Sequence, residues 1–316
     1  MTGILLELAQ VLLVAFLAPL FAGLLRALRA ILQNRRPAGC WQNYRDLYRL
    51  FHKESLQADG TSWLFRFAPY AIFGAFCLAA AIIPILATGL PLAPAADVIA
   101  LVGLFALARV FQVLAAMDTG TPFATLGAHR EMLIAGLAEP ALLATLFTAS
   151  LLSRSTSLSV IVAHLEQLRF ALHPSMVFAA AAFFIVLLAE NARIPVDNPA
   201  THLELTMIHE AMLLEYSGRH LALMEWAAQI KLTLYVAIGI ALFLPWGIVP
   251  IAEIAEVAIL PVTLPVLLLK FAGAAVILAL IETLLAKLRL FRAPEFMATA
   301  FLLGVIGLLT FFMLGA

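Results

Sequence analysis

Acidic and basic side chains concentrate in residues 190–226, ENARIPVDNPATHLELTMIHEAMLLEYSGRHLALMEW, within a chain that otherwise carries little charge. In a low-dielectric setting Glu190, Arg193, Asp197, Glu204, Glu210 and Glu215 are groups whose ionisation can answer a nearby change of charge, which is the chemistry of proton uptake and release. Pro195 and Pro199 force extended or turning backbone, so residues 192 to about 200 are expected to be irregular and 202–215 to be helical. On such a helix Glu204 and Glu215 share a face, Glu210 points elsewhere, and His202 aligns with His209. Irregular backbone at membrane depth is tolerated where protein buries it or where it lines a cavity, so Glu190, Arg193 and Asp197 are expected to line one.

A second group of acids lies within apolar runs, where a carboxylate costs roughly 2.5–3.5 kcal/mol even on lenient scales and therefore needs a partner, water or a proton. Glu139 immediately precedes Pro140, whose missing N–H frees the carbonyl of Gly136 and favours a bend beside the acid. Glu225 is followed by Lys231, and Glu282 by its distance from Lys270 shares the next apolar run with a cation. These residues form either a polar chain across helices or a set of interfacial acids and fixed ion pairs. Metal and redox chemistry by this chain is not supported: Cys40 and Cys77 are far apart, the spacing of His202 and His209 is no ligand motif, and there is no phosphate loop, dinucleotide turn, HExxH or nucleophile elbow. The chain is expected to hold no metal and to have no catalytic residue of its own.

The elements that carry these groups follow from composition. Of 316 residues, 64% are hydrophobic and 12% charged, against roughly 45–50% and about 25% in soluble domains, which excludes a soluble globular protein. Zero net charge leaves no basic surface for nucleic acid. Runs long enough to cross a hydrocarbon core of about 30 Å occur at about 4–28, 67–88, 97–117, 132–153, 174–191, 221–245, 256–286 and 294–315. The class is all-α, a polytopic membrane protein of about eight transmembrane helices, with residues 1–316 as one integral membrane domain and no visible repeat. Lys and Arg number fourteen in the odd-to-even connections and two in the others, which puts both termini outside and the charged loops in the cytoplasm. Basic residues follow the first run rather than precede it, so it reads as a retained helix, not a signal peptide. Residues 40–53 place Trp41, Tyr44, Leu47, Tyr48 and Phe51 on one helical face and Arg45, Arg49 and Lys53 on another, an amphipathic helix suited to the bilayer surface or to docking a soluble partner.

The motifs themselves resemble a known family. ExxRxPxDxP at Glu190 to Pro199, then Glu204 and Glu215-Tyr216-Ser217-Gly218, resembles the family of respiratory complex I subunit 1 and formate hydrogenlyase subunit 4. Arg35-Arg36-Pro37 with Trp41 to Asp46 looks like that family's first cytoplasmic loop, and Asp118 to Phe123, Arg130-Glu131 and Glu139-Pro140 resemble its hydrogenlyase branch. In the quinone-reducing branch acids are usual where Ala200 and His202 stand, and the stretch from Glu204 to Glu215 is about three residues shorter, so this chain looks more like the membrane-anchor subunit of group 4 energy-converting nickel-iron hydrogenases.

That resemblance implies a subunit joining a soluble redox arm to a membrane arm that moves protons or sodium, in a prokaryotic inner membrane. Its implied partners are the large and small hydrogenase subunits, an iron-sulfur protein and antiporter-like membrane subunits, with the nickel-iron site and iron-sulfur clusters held by those partners. Candidate coupling residues are Glu139, Glu190, Arg193, Asp197, Glu204, Glu210, Glu215, Glu225 and Glu282; candidate loop or docking residues are Arg35, Arg36, Arg45, Asp46, Asp118, Arg130 and Tyr216. The alternatives are the quinone-binding subunit of a complex I-type NADH:quinone oxidoreductase, a stand-alone ion transporter, and an anchor with no part in ion movement.

Overall fold

The computed structural model describes residues 2–56, 60–167, 173–197, 208–250, 260–285 and 292–314. Seven described helices are long and apolar enough to cross a membrane: α1 (Thr2–Leu32), α3 (Trp63–Ile82), α4 (Val98–Asp118), α5 (Pro122–Ser153), α9 (Gly218–Phe243), α10 (Leu260–Leu284) and α11 (Ala293–Leu314). An eighth apolar helix, α7 (Pro174–Glu190), is shorter. The remaining helices are α2 (Gln42–Phe51), α6 (Leu158–Gln167) and α8 (His209–Leu213). The chain is thus an all-α, multi-pass membrane protein.

The helix ends show why the apolar runs and the helices differ at some boundaries. The expected run 67–88 becomes α3 at 63–82, because the Ser62 hydroxyl caps Leu64 N at 3.1 Å and Ile83, preceding Pro84, is extended. The expected run 132–153 is the distal part of α5, which starts ten residues earlier with Pro122 in its first turn and runs unbroken through Pro140. Hydropathy alone passed over that start because His129, Arg130 and Glu131 lie on it. The 40–53 helix is present as α2, with Asn43 and Leu47 buried and Trp41 and Tyr48 exposed.

Packing divides the helices into two interlocked groups. α5, α7 and α11 pack on one another; α1, α3 and α9 form the second group; α4 lies between α3 and α5, and α10 packs along α1. Large apolar side chains such as Leu12, Leu269 and Met313 point outward, as lipid-facing positions do, while Arg109, Glu190 and Glu282 turn inward. A buried amide closes one weak point: Gln10 Nε2 donates to the carbonyls of Ala80 and Ile83, both at 2.8 Å, and its Oε1 accepts from Leu86 N at 3.2 Å. Those carbonyls lie where α3 ends, so a glutamine with no exposed surface satisfies groups that no lipid could. Lys270 of α10 does the same for α9, its Nζ donating to the carbonyls of Leu244 and Trp246. A two-residue parallel pairing, Ala87–Thr88 with Val249–Pro250, ties the connections after α3 and α9.

The approach of the 39–41 segment to α1 requires Gly23, since a Cβ there would stand 2.2 Å from the Cys40 carbonyl oxygen. Gly23→Ala is therefore expected to displace the lead into α2 and cost about 1–3 kcal/mol, as overpacking does. A thermal melt of the purified variant in detergent checks this; an unchanged midpoint would mean that the segment moves aside freely.

Candidate functional site

Between α1, α9, α10 and the segment after α7 lies a cavity of about 380 Å³. Its lining includes Glu190, Arg193, Asp197 and Glu210, together with Arg29 and Glu282. The segment after α7 is a compact turn. Arg193 N donates to Leu188 O at 2.9 Å, Val196 N and Asp197 N both donate to Arg193 O, and Ala192 sits at φ 48°. The Ile194–Pro195 bond is cis. The turn aims Arg193 at Glu282 and lets the Asp197 carboxylate accept from Ile208 N at 3.2 Å, which ties this turn to the start of α8. The irregular backbone expected for 192 onward is thus present over the described residues, and it lines a cavity.

Two ionic clusters border this space. In one, Glu282 of α10 accepts from Arg29 of α1 at 2.8 Å and from Arg193 at 3.3 Å, its side chain having no exposed surface. In the other, Arg109 of α4 reaches three acids: Glu190 at the end of α7, which it bonds directly, Glu139 of α5 at 2.5 Å, and Glu131 of α5 at 3.7 Å. Lys231 of α9 joins the same cluster, its Nζ 3.0 Å from Glu190. The Tyr235 ring lies below it at 6.0 Å. Buried charges are tolerable only when paired this closely, because each carries a desolvation penalty of several kcal/mol.

The structure distributes the sequence-derived candidates unequally. Glu190, Arg193, Asp197, Glu210 and Glu282 converge on the cavity, and Glu139 connects to it through Arg109 and Glu190. Glu204, with His202, lies outside the described residues. The described part of the expected 202–215 helix ends at Leu213, so Glu215 stands in the turn beyond it and away from the cavity. That turn forms because the Tyr216 ring stacks flat on Phe65 at 4.0 Å and its hydroxyl donates to Phe65 O at 3.0 Å. Tyr216 is consequently buried, and its hydroxyl holds its proton far more tightly than a free tyrosine, first through burial and then through Asp118. Glu225 is not in the cavity lining; it lies near Asp46, and near Arg26 and Glu210, which do line the cavity. Asp46 accepts from Gln42 Nε2 at 2.8 Å, and Asp118 accepts from Ser62 N at 2.8 Å, joining the end of α4 to the start of α3. Arg35, Arg36 and Arg45 are exposed, and Arg130 is half-buried.

Sequence reasoning did not place Arg109 or Glu131 in the site, and it set Lys231 with Glu225 rather than with Glu190. The available signal was that Arg109 and Lys231 are cations inside apolar runs while Glu139 and Glu190 stand in other runs, and such cations need partners. Among the described residues no group of His, Cys, Asp and Glu is arranged to hold a metal ion. The arrangement can store and redistribute charge and protons.

His209 of α8 borders the cavity with Nδ1 3.0 Å from the Gln112 amide nitrogen, while its Nε2 has no hydrogen-bond partner. Its pKa is pushed down from 6.5 to about 4, chiefly by burial and then by Lys231 and Arg193. Because the folded value is the lower one, the contribution of neutral His209 is complete above pH 6.5 and is lost as the pH falls toward 4. The loss reaches about 3 kcal/mol. His209→Gln should flatten the fall in melting temperature across that window, and a variant with the same acid profile as the parent would remove His209 as its cause. Arg109→Gln leaves three carboxyls around one remaining cation and should cost about 3–5 kcal/mol. Pairing it with Glu190→Gln should recover part of that loss, measured as a double-mutant cycle on thermal stability.

Comparison with known proteins agrees with this architecture. The NADH dehydrogenase family pattern matches residues 6–313. Formate hydrogenlyase subunit 4 of Escherichia coli (strain K12) is 33% identical over 293 residues, 93% of this chain and 94% of that protein. Hydrogenase-4 component C of the same organism is 34% identical over 280 residues, 89% of this chain and 87% of its own. A chain in the structure of the membrane-bound sulfane sulfur reductase, an archaeal respiratory membrane complex, superposes with a TM-score of 0.77 at 21% identity, covering 98% of this chain and 99% of its own, which shows a shared fold. With the family match spanning nearly every residue and both bacterial relatives aligned along most of their length, the chain belongs to the NADH dehydrogenase family of complex I subunit 1-like membrane proteins.

Proposed function

We propose that this chain is the membrane-anchor and coupling subunit of a group 4 nickel-iron hydrogenase complex of formate-hydrogenlyase type, linking electron transfer in a soluble arm to movement of protons or sodium. The observation that carries the reading is the continuous set of paired charges from the partly exposed Glu139 through buried Arg109 and Glu190 and then Lys231 to the cavity, with Arg193, Glu282 and Arg29 on its other side. Such a set answers charge at one end with a change of protonation or pairing at the other, because pair energies in a dry interior are large and each member touches the next.

The likeness to formate hydrogenlyase subunit 4 and hydrogenase-4 component C supports a hydrogenase as the soluble arm. The partners in this reading are the large and small hydrogenase subunits, an iron-sulfur protein and antiporter-like membrane subunits, and the nickel-iron site and iron-sulfur clusters belong to them. The exposed Arg35, Arg36 and Arg45, beside the amphipathic α2, give the basic face a surface for the soluble arm. That face lies in the cytoplasm of a prokaryotic cell, with both termini across the inner membrane, by the distribution of Lys and Arg.

Gentle purification of the tagged chain from its native membranes, with mass spectrometry of its partners and an assay of hydrogen evolution from a reduced low-potential dye, tests the assignment. A nickel-bearing partner with hydrogen evolution is expected. Quinone reduction by a partner without nickel, and no hydrogen evolution, would replace this reading by a complex I-type one. Within the assembled complex, Glu139→Gln should lower ion movement per electron severalfold while the partners still co-purify; full coupling in that variant would take Glu139 out of the path.

A further inference from the structure

The cluster around Arg109 contains more acid than base. Its cations are Arg109 and Lys231; its acids are Glu131, Glu139 and Glu190. If every member were ionised, the cluster would hold one uncompensated negative charge, and a buried carboxyl without a counter-charge neutralises itself by keeping its proton.

The geometry says which acid does so. Glu190 is shared by both cations, and Glu139 contacts Arg109 at 2.5 Å with a side chain that is 37% exposed. Glu131 stands apart: its nearest cationic atom is Arg109 Nε at 3.7 Å, and that Nε is buried with no hydrogen-bond partner although the carboxyl lies beside it. An ionised carboxylate in that place would close on the N–H; a neutral one has less reason to.

The surroundings add to the imbalance. Facing Glu131 are Arg109 from α4, Lys231 from α9, Glu190 from α7 and Asp197 from the following loop, with Glu139 on its own helix. α8 brings His209 and Glu210 to the neighbouring cavity, and the charged residue of α11, Glu295, lies in its first turn. Asp197 makes the potential more negative, while Arg193 from the same loop is committed to Glu282.

We infer that Glu131 is the protonated member of this cluster and its exchangeable proton store, a site distinct from the ion-paired Glu139 and Glu190. Release of its proton leaves a carboxylate and one net negative charge, which the cluster accepts when Arg109 shifts toward Glu131 or when a positive charge enters the cavity. Recapture of a proton restores neutrality. The role of this store in ion movement rests on the coupling function proposed above, whereas the protonation of Glu131 does not.

Infrared spectroscopy of the purified complex separates the two. In the spectrum of the parent minus that of Glu131→Gln at neutral pH, the expected signal is the carbonyl stretch of a protonated carboxylic acid, moving to lower frequency in heavy water. A difference carrying carboxylate stretches instead overturns the inference. Glutamine is close in shape to the neutral acid, so Glu131→Gln should melt with the parent, unlike Glu190→Gln, which strips two cations of their shared partner. Should Glu131→Gln fail to accumulate, Glu131→Asp is read in the same way: a neutral acid shifts its carbonyl stretch, and an ionised one leaves that region silent. An acid signal in a complex that evolves no hydrogen and moves no ions would keep the inference and overturn the proposed function.

Discussion

Four helices meet at one guanidinium. Arg109 is almost fully buried, bonds Glu190 on α7 and Glu139 on α5, and stands on α4, while Lys231 brings α9 to the same carboxylate. Arginine cannot relieve its burial by losing a proton, so the only remedy is to collect acids around it. That necessity fixes the relative height of the four helices more firmly than their apolar faces can, because lipid tails compete equally well for leucine. It also explains why Glu190 lies inside the bundle rather than at its surface.

The second cluster uses the converse economy: one carboxylate, Glu282, serves two arginines from elements far apart in sequence. α1 and the loop after α7 are joined through α10, and the cavity lies between this cluster and the first. The two are of opposite character, acid-rich around Arg109 and base-rich around Glu282. A polar molecule or water chain between them meets a field with a direction, not a merely hydrophilic chamber.

Much of the architecture could be read from the residues. Apolar run length located the eight principal helices, proline positions located the irregular turn after Glu190, and the cost of acids in lipid marked Glu139, Glu190 and Glu282 as needing partners. Which partners they take could not be read. A helix that is apolar on every side gives no facing information, so neither Arg109 nor Lys231 could be turned toward a particular acid. Glu131 and Glu139 are eight residues apart on α5, more than two turns, and nothing in their spacing says that a single guanidinium reaches both. Gln10 was an unremarked amide in an apolar run, though it closes the end of α3. The turn after α8 was hidden because a stack between Tyr216 and Phe65 decides it, a contact across 151 positions.

The shared ownership of Glu190 by Arg109 and Lys231 also restricts how this chain can change over generations. Losing either cation alone leaves more acid than base in the interior, and losing Glu190 alone takes a partner from both cations, so each such single step costs stability. Positions 109, 190 and 231 are therefore expected to change together, whereas 131 and 139 are freer. A lineage that abandoned one of these three would need to exchange the others with it, and would then carry a different interior circuit on the same scaffold.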